Sequence, residues 1–174
     1  TVNVVTPALR LDNLSASVAS LAADQPVFAR IGVPNATNTN LNAFQSVRTG
    51  GTPFTVTFTS SDAAVGRLTN TAGSGATRTA VIAPGQSLTP TSVATGGVAF
   101  DPLTTGSTTV SVSAPEATTT TAGSVNVTVT GQAITLNSLP VTVGAGLQDG
   151  AYSISLGASN HGGVTLHIES SDPT

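Results

Sequence analysis

Gly51-Thr52-Pro53-Phe54-Thr55-Val56-Thr57-Phe58-Thr59-Ser60-Ser61-Asp62 alternates apolar and hydroxylic side chains from Phe54 to Thr59. A period of two puts Phe54, Val56 and Phe58 on one side of an extended strand and Thr55, Thr57 and Thr59 on the other. Ser60-Ser61-Asp62 closes the stretch with turn chemistry. A later stretch repeats the pattern: Gly162-Gly163-Val164-Thr165-Leu166-His167-Ile168-Glu169-Ser170-Ser171-Asp172, with Val164, Leu166 and Ile168 inward.

The repetition extends outward from these two stretches. Ala8-Leu9-Arg10-Leu11-Asp12-Asn13-Leu14 aligns with Ala133-Ile134-Thr135-Leu136-Asn137-Ser138-Leu139, Val18 with Val143, and Ile31-Gly32-Val33-Pro34-Asn35 with Leu156-Gly157-Ala158-Ser159-Asn160. Self-similarity at a fixed interval, here about 125 residues, marks a repeated structural unit. The expected organisation is residues 1–7 as a linker or the closing strand of a preceding unit, 8–131 as one complete unit with an insertion at 36–50, and 132–174 as the first half of a second unit. Val2-Asn3-Val4-Val5-Thr6 resembles the closing stretch Val125-Asn126-Val127-Thr128-Val129.

Further strands are expected at Ala8–Leu11 (resuming near Ser15–Val18), Val27–Val33, Val65–Leu68, Thr77–Ile82, Gly97–Phe100, Thr108–Ala114 and Ser124–Thr130, with Tyr152, Ile154 and Leu156 on one face of the later copy. Leu14, Val18 and Leu21 also fit helical spacing. The corresponding Leu139-Pro140-Val141-Thr142-Val143-Gly144 carries a proline and a glycine that a helix resists, so both copies read as extended. Short strands separated by turns give an all-β sandwich.

Composition narrows the function. Charged residues make up only 7% of the chain, against about 25% in ordinary soluble domains. The five cations are all arginines, spread along the sequence, and the net charge is −3. Binding to nucleic acid is therefore not expected, because it needs basic residues gathered on one face. No apolar run approaches the length of a membrane span, and no signal peptide is visible. The start at Thr1 reads as a processed product or an excerpt. With no cysteine, redox chemistry gives no guidance to compartment.

Three stretches carry a resemblance: Ser60-Ser61-Asp62-Ala63-Ala64-Val65; Gly97-Val98-Ala99-Phe100-Asp101-Pro102-Leu103 leading to Gly106-Ser107-Thr108-Thr109-Val110-Ser111-Val112; and Val125-Asn126-Val127-Thr128-Val129. In these the chain resembles the bacterial immunoglobulin-like domains of invasin- and intimin-type surface proteins. The insertion at Ala36–Gly50 and the long turn Ala83–Thr95 depart from that pattern. The resemblance implies an immunoglobulin-like β-sandwich, one complete module plus part of a second in tandem, acting outside the cell as a stalk, spacer or adhesive tip with no catalytic residues.

Chemistry is sparse. Residues 8–131 contain no His, Cys or Lys, so a serine nucleophile there would lack a base. The acids Asp12, Asp24, Asp62, Asp101 and Glu116 are scattered, and Asp62 and Asp101 read as turn residues beside Ser-Ser and Pro102. No enzyme activity, metal or cofactor is expected. His161 and His167 with Asp149 or Asp172 form the weak zinc alternative, and no calcium-loop spacing occurs. Phe28 has outward parity and Phe44 lies in the insertion. They are the candidate contacts for a sugar, although the simpler reading folds the insertion back so that Phe44 covers Phe28. Asn13, Asn35 and Asn126 begin glycosylation triplets.

The expected function is a structural or adhesive module of an extracellular surface or fibre protein. Its partners are neighbouring modules or identical subunits. The alternatives are a carbohydrate- or host-receptor-binding module and a spacer in a large secreted enzyme.

Overall fold

The computed structural model describes residues 2–138, 142, 144–147, 150, 152–158, 163 and 165–169. The Phe54–Thr59 alternation forms the strand β5 (Phe54–Ser60), in which Val56 and Phe58 are fully buried and Phe54 half-buried. Before it come β1 (Ala8–Asp12), β2 (Ser17–Ala19), β3 (Gln25–Pro34) and β4 (Leu41–Phe44). After it come β6 (Gly66–Asn70), β7 (Gly73–Gly75), β8 (Thr77–Ile82), β9 (Val98–Pro102), β10 (Gly106–Ser113), β11 (Thr118–Thr119) and β12 (Ser124–Thr130).

These strands form two sheets. One has the order β11-β1-β3-β9-β6-β7 with β4 also on β3, and the other the order β2-β12-β10-β5-β8. Alternation gives each sheet one apolar face, and burial requires the two faces to meet. One core results. The first sheet contributes Leu9, Leu11, Val27, Ala29, Ile31, Leu68, Val98 and Phe100. The second contributes Val56, Phe58, Ala80, Ile82, Val110, Val112, Val127 and Val129.

The first strand of the chain divides between the layers. β1 runs antiparallel to β3, whereas β2 runs parallel to β12. Asn13, at φ 64°, makes the break, and its side-chain Nδ2 donates to the Pro26 carbonyl at 2.7 Å. Asparagine tolerates this left-handed backbone because its short amide can bond locally. The strand expected at Ala8–Leu11, resuming near Ser15–Val18, is thus two strands in different sheets.

The insertion at 36–50 is fixed to the sandwich by its own bonds and by strand pairing. Asn35 folds its start, Oδ1 accepting from the Thr39 backbone N–H at 2.8 Å and Nδ2 donating to Thr39 Oγ1 at 2.8 Å. Its middle pairs with β3 as β4, with Phe44 opposite Gly32. A Cβ on Gly32 would lie 2.0 Å from the Ala43 carbonyl oxygen, so only glycine allows that approach. The long turn after β8 is pinned as well: Val47 N–H donates to the Gln86 carbonyl, and Thr89 N–H to that of Ala29.

Two expectations need correction. Asp101 is not a turn residue but lies within β9, 8% exposed, where it accepts from Arg67 Nε of β6 at 2.8 Å. The described residues 165–169 of the strand expected after Gly163 are not in a strand, and Ile168 is 59% exposed. The stretch it resembles in sequence forms β5 between β10 and β8, and residues 165–169 have no such ladder partner among the described residues.

Among the described residues beyond β12, β13 (Ile134–Asn137) and β14 (Ser153–Leu156) form a hairpin. Its pairing reproduces that of β1 with β3. Leu9 faces Ile31 and Leu11 faces Ala29; Ile134 faces Leu156 and Leu136 faces Ile154, each residue numbered 125 higher than its counterpart. Positive φ recurs at the same interval, at Asn13 and Ser138 (64° and 65°) and at Leu21 and Gly146 (57° and 79°).

Candidate functional site

Opposite positions on adjacent strands of a sheet bring side chains together. The β1–β3 register sets Arg10 directly across from Arg30, and Asp12 across from Phe28, on the outer face of the first sheet. Like charges in that relation repel, and Asp12 resolves the conflict. Its Oδ1 accepts from Arg10 Nε at 2.7 Å and its Oδ2 from Arg30 Nε at 2.7 Å. The carboxylate is only 15% exposed and each arginine 28%, so these charge-assisted bonds are partly shielded from water.

The insertion completes the patch. Phe44 lies with its ring centre 4.8 Å from the Arg30 guanidinium carbon and 5.3 Å from that of Arg10, and Phe28 lies 5.5 Å from Arg30 on its own strand. These are cation–π distances. Asn40, at the foot of β4, accepts a weak bond from Arg10 at 3.3 Å. Phe44 therefore folds back as the sequence suggested, but each phenylalanine stacks on Arg30. Phe44 stays 49% exposed. An exposed ring edged by guanidinium donors, an amide and a carboxylate suits a polyhydroxylated ligand: the ring offers an apolar face and the polar groups answer hydroxyls. The two arginines carried no local signal, because residues twenty apart in sequence meet only through strand register.

A second concavity of about 550 Å³ lies where residues 2–7 pass the insertion, lined by Val4, Ile31, Val47, Arg48, Phe54 and Glu116 among others. Its walls are mixed, with one cation and one carboxylate, and no pair of groups there resembles a nucleophile and its base.

Asp62 Oδ1 accepts from the Ala64 and Val65 backbone N–H groups at 2.9 and 3.4 Å, the turn role expected of it. Asp24 holds its proton more tightly than a free aspartate, first through desolvation and then through the neighbouring Asp101 charge, with Arg67 pulling the other way.

Of the glycosylation triplets, Asn13 and Asn35 have side-chain amides engaged in backbone-shaping bonds. Asn126 stands exposed on β12. His161, Asp149 and Asp172 lie outside the described residues, and His167 is exposed. Among the described residues no group of three or more His, Cys, Asp or Glu could hold a metal, and no helix is long and apolar enough to cross a membrane. No protein-family model, curated protein or solved structure matches this chain.

Proposed function

We propose that this chain is a non-catalytic, immunoglobulin-like structural module of an extracellular surface or fibre protein, built to stand in series with modules of its own kind. The observation that carries this reading is the recurrence, at a constant interval, of one strand register and two left-handed backbone positions in β1–β3 and β13–β14. Chance similarity in a Thr- and Val-rich sequence would not preserve register, since a slip of one residue turns every side chain to the other face.

The strand order supports the immunoglobulin-like assignment. The path β1-β3-β9-β6 matches the A-B-E-D sheet of such domains and β5-β10-β12 the C-F-G sheet, with the first strand shared between layers. A surface with few charges and abundant hydroxyls suits an extended extracellular rod.

The test is limited proteolysis of the protein purified from its source, read by mass spectrometry. A ladder of fragments spaced by one module supports the reading. A single adjoining fragment with hydrolase activity overturns it in favour of a spacer in a secreted enzyme.

A second reading, carbohydrate binding at the Phe28–Arg30–Phe44 stack, is favoured by the exposure of Phe44 beside polar groups. A glycan array separates the two: binding that Phe44→Ala abolishes makes the module a lectin, and an array without signal leaves it a spacer.

A further inference from the structure

We propose that the Phe28–Arg30–Phe44 stack takes a sugar that bears a carboxylate, with the Arg30 guanidinium holding the acid group and Phe44 the sugar ring. The proposal rests on the carbohydrate reading above and adds the charge of the ligand.

The two facing arginines are not used alike. Every guanidinium nitrogen of Arg10 has a partner: Nε and Nη2 each lie 2.7 Å from Asp12 Oδ1, and Nη1 donates to Asn40 Oδ1 at 3.3 Å. Arg30 gives only its Nε–H, to Asp12 Oδ2 at 2.7 Å. Both oxygens of Asp12 are thereby committed. The terminal N–H groups of Arg30, on Nη1 and Nη2, make no hydrogen bond among the described residues.

Charge is out of balance at the same place. Two cations meet one carboxylate, in a chain that has only five arginines, no lysine and a net charge of −3. Elsewhere Arg67 meets Asp101 one to one. The surplus positive charge sits on a side chain only 28% exposed, where partial shielding from water strengthens its attraction for an acid.

Arg30 is also held still. Its backbone is bridged to Arg10 on one side and to Leu88 on the other. Asp12 fixes its Nε, and the Phe44 and Phe28 rings lie 4.8 and 5.5 Å from its guanidinium carbon. A flat fork fixed in this way presents its terminal nitrogens along one edge, the geometry that takes a planar carboxylate through two parallel bonds. Little freedom is left to lose when the ligand arrives.

Phe44 supplies the second half of the recognition. It remains 49% exposed beside the fork, so a ring joined to the carboxylate can lie against it. A neutral sugar leaves the surplus charge unanswered, and a simple organic acid leaves Phe44 bare. A carboxylate on a hydroxylated ring answers both. Uronates and sialates share this chemistry, and the test tells them apart.

Isothermal titration of the full 174-residue chain uses trigalacturonate and sialyllactose, each beside its methyl ester, which keeps the rings and hydroxyls and removes the charge. At least one acid is expected to bind about tenfold more tightly than its ester, and the one that does names the source. This comparison is made in wild type, so it needs no variant to fold. Arg30→Gln should erase the difference, Phe44→Ala should weaken acid and ester alike, and sodium chloride at about 0.5 M should weaken the acid alone. Equal binding of acid and ester, or a preference for the acid that survives in folded Arg30→Gln, would overturn the proposal and leave the carbohydrate reading standing. Silence of every ligand at millimolar concentration also overturns it, and the glycan array then decides the carbohydrate reading by itself.

Discussion

Gly66 opens β6 with the Phe100 ring against its α-carbon; a Cβ there would stand 2.2 Å from the ring's Cζ. Phe100 is fully buried, so the ring has nowhere to retreat. Gly66→Ala is expected to cost about 1–3 kcal/mol, seen as a lower urea midpoint at unchanged slope. Asp24 acts in the other direction. Its pKa is raised in the folded state, so folding favours its protonated form. Stability is thus penalised once pH rises above the folded pKa, and the penalty fades as pH falls toward the free-aspartate value of 3.8. Asp24→Asn should therefore raise the melting temperature slightly at pH 7 and make no difference near pH 3; an equal gain at both values would show that charge is not the cause. At this scale the sequence is least informative. Asp62 was readable because its partners lie two and three residues away. Asp101 was misread because Arg67, thirty-four residues off, reaches it only through the β6–β9 register.

Strands with clean alternation were legible from the sequence. Ser124–Thr130, Thr77–Ile82 and Phe54–Ser60 occur at the expected residues. Those without it were not. β4 reads Leu-Asn-Ala-Phe, β7 Gly-Ser-Gly and β11 Thr-Thr, and each exists because a neighbouring edge offers backbone partners. Of the candidate site, Phe28 and Phe44 could be named in advance, but Arg10, Asp12 and Arg30 could not, since their meeting depends on β1–β3 pairing. That meeting makes a testable demand. With Asp12→Asn, the two facing arginines lose their shared counter-charge, and stability is expected to fall by about 1–2 kcal/mol. Added salt screens the remaining repulsion. The melting temperature of D12N relative to wild type should recover partly in 1 M sodium chloride, and a deficit independent of salt would mean that only hydrogen bonds were lost.

For the whole molecule, the all-β class and the two apolar faces follow from period-two patterning. What stayed hidden is the division of the first strand between sheets, because Asn13 announces a turn without saying where the chain goes next. That division has a mechanical consequence. The chain enters the sandwich at one pole through β1 and leaves at the other through β12. Pulling on its two ends drags β2 and β12 past each other along their shared direction, loading all the bonds between Ser17–Ala19 and Thr128–Thr130 at once instead of peeling them singly. Stretched by an optical trap, the module should yield in one abrupt rupture at high force, and a proline at Val18 should lower that force far more than it lowers thermal stability. The fold would then behave under load as a clasp, holding firm until three rungs fail together.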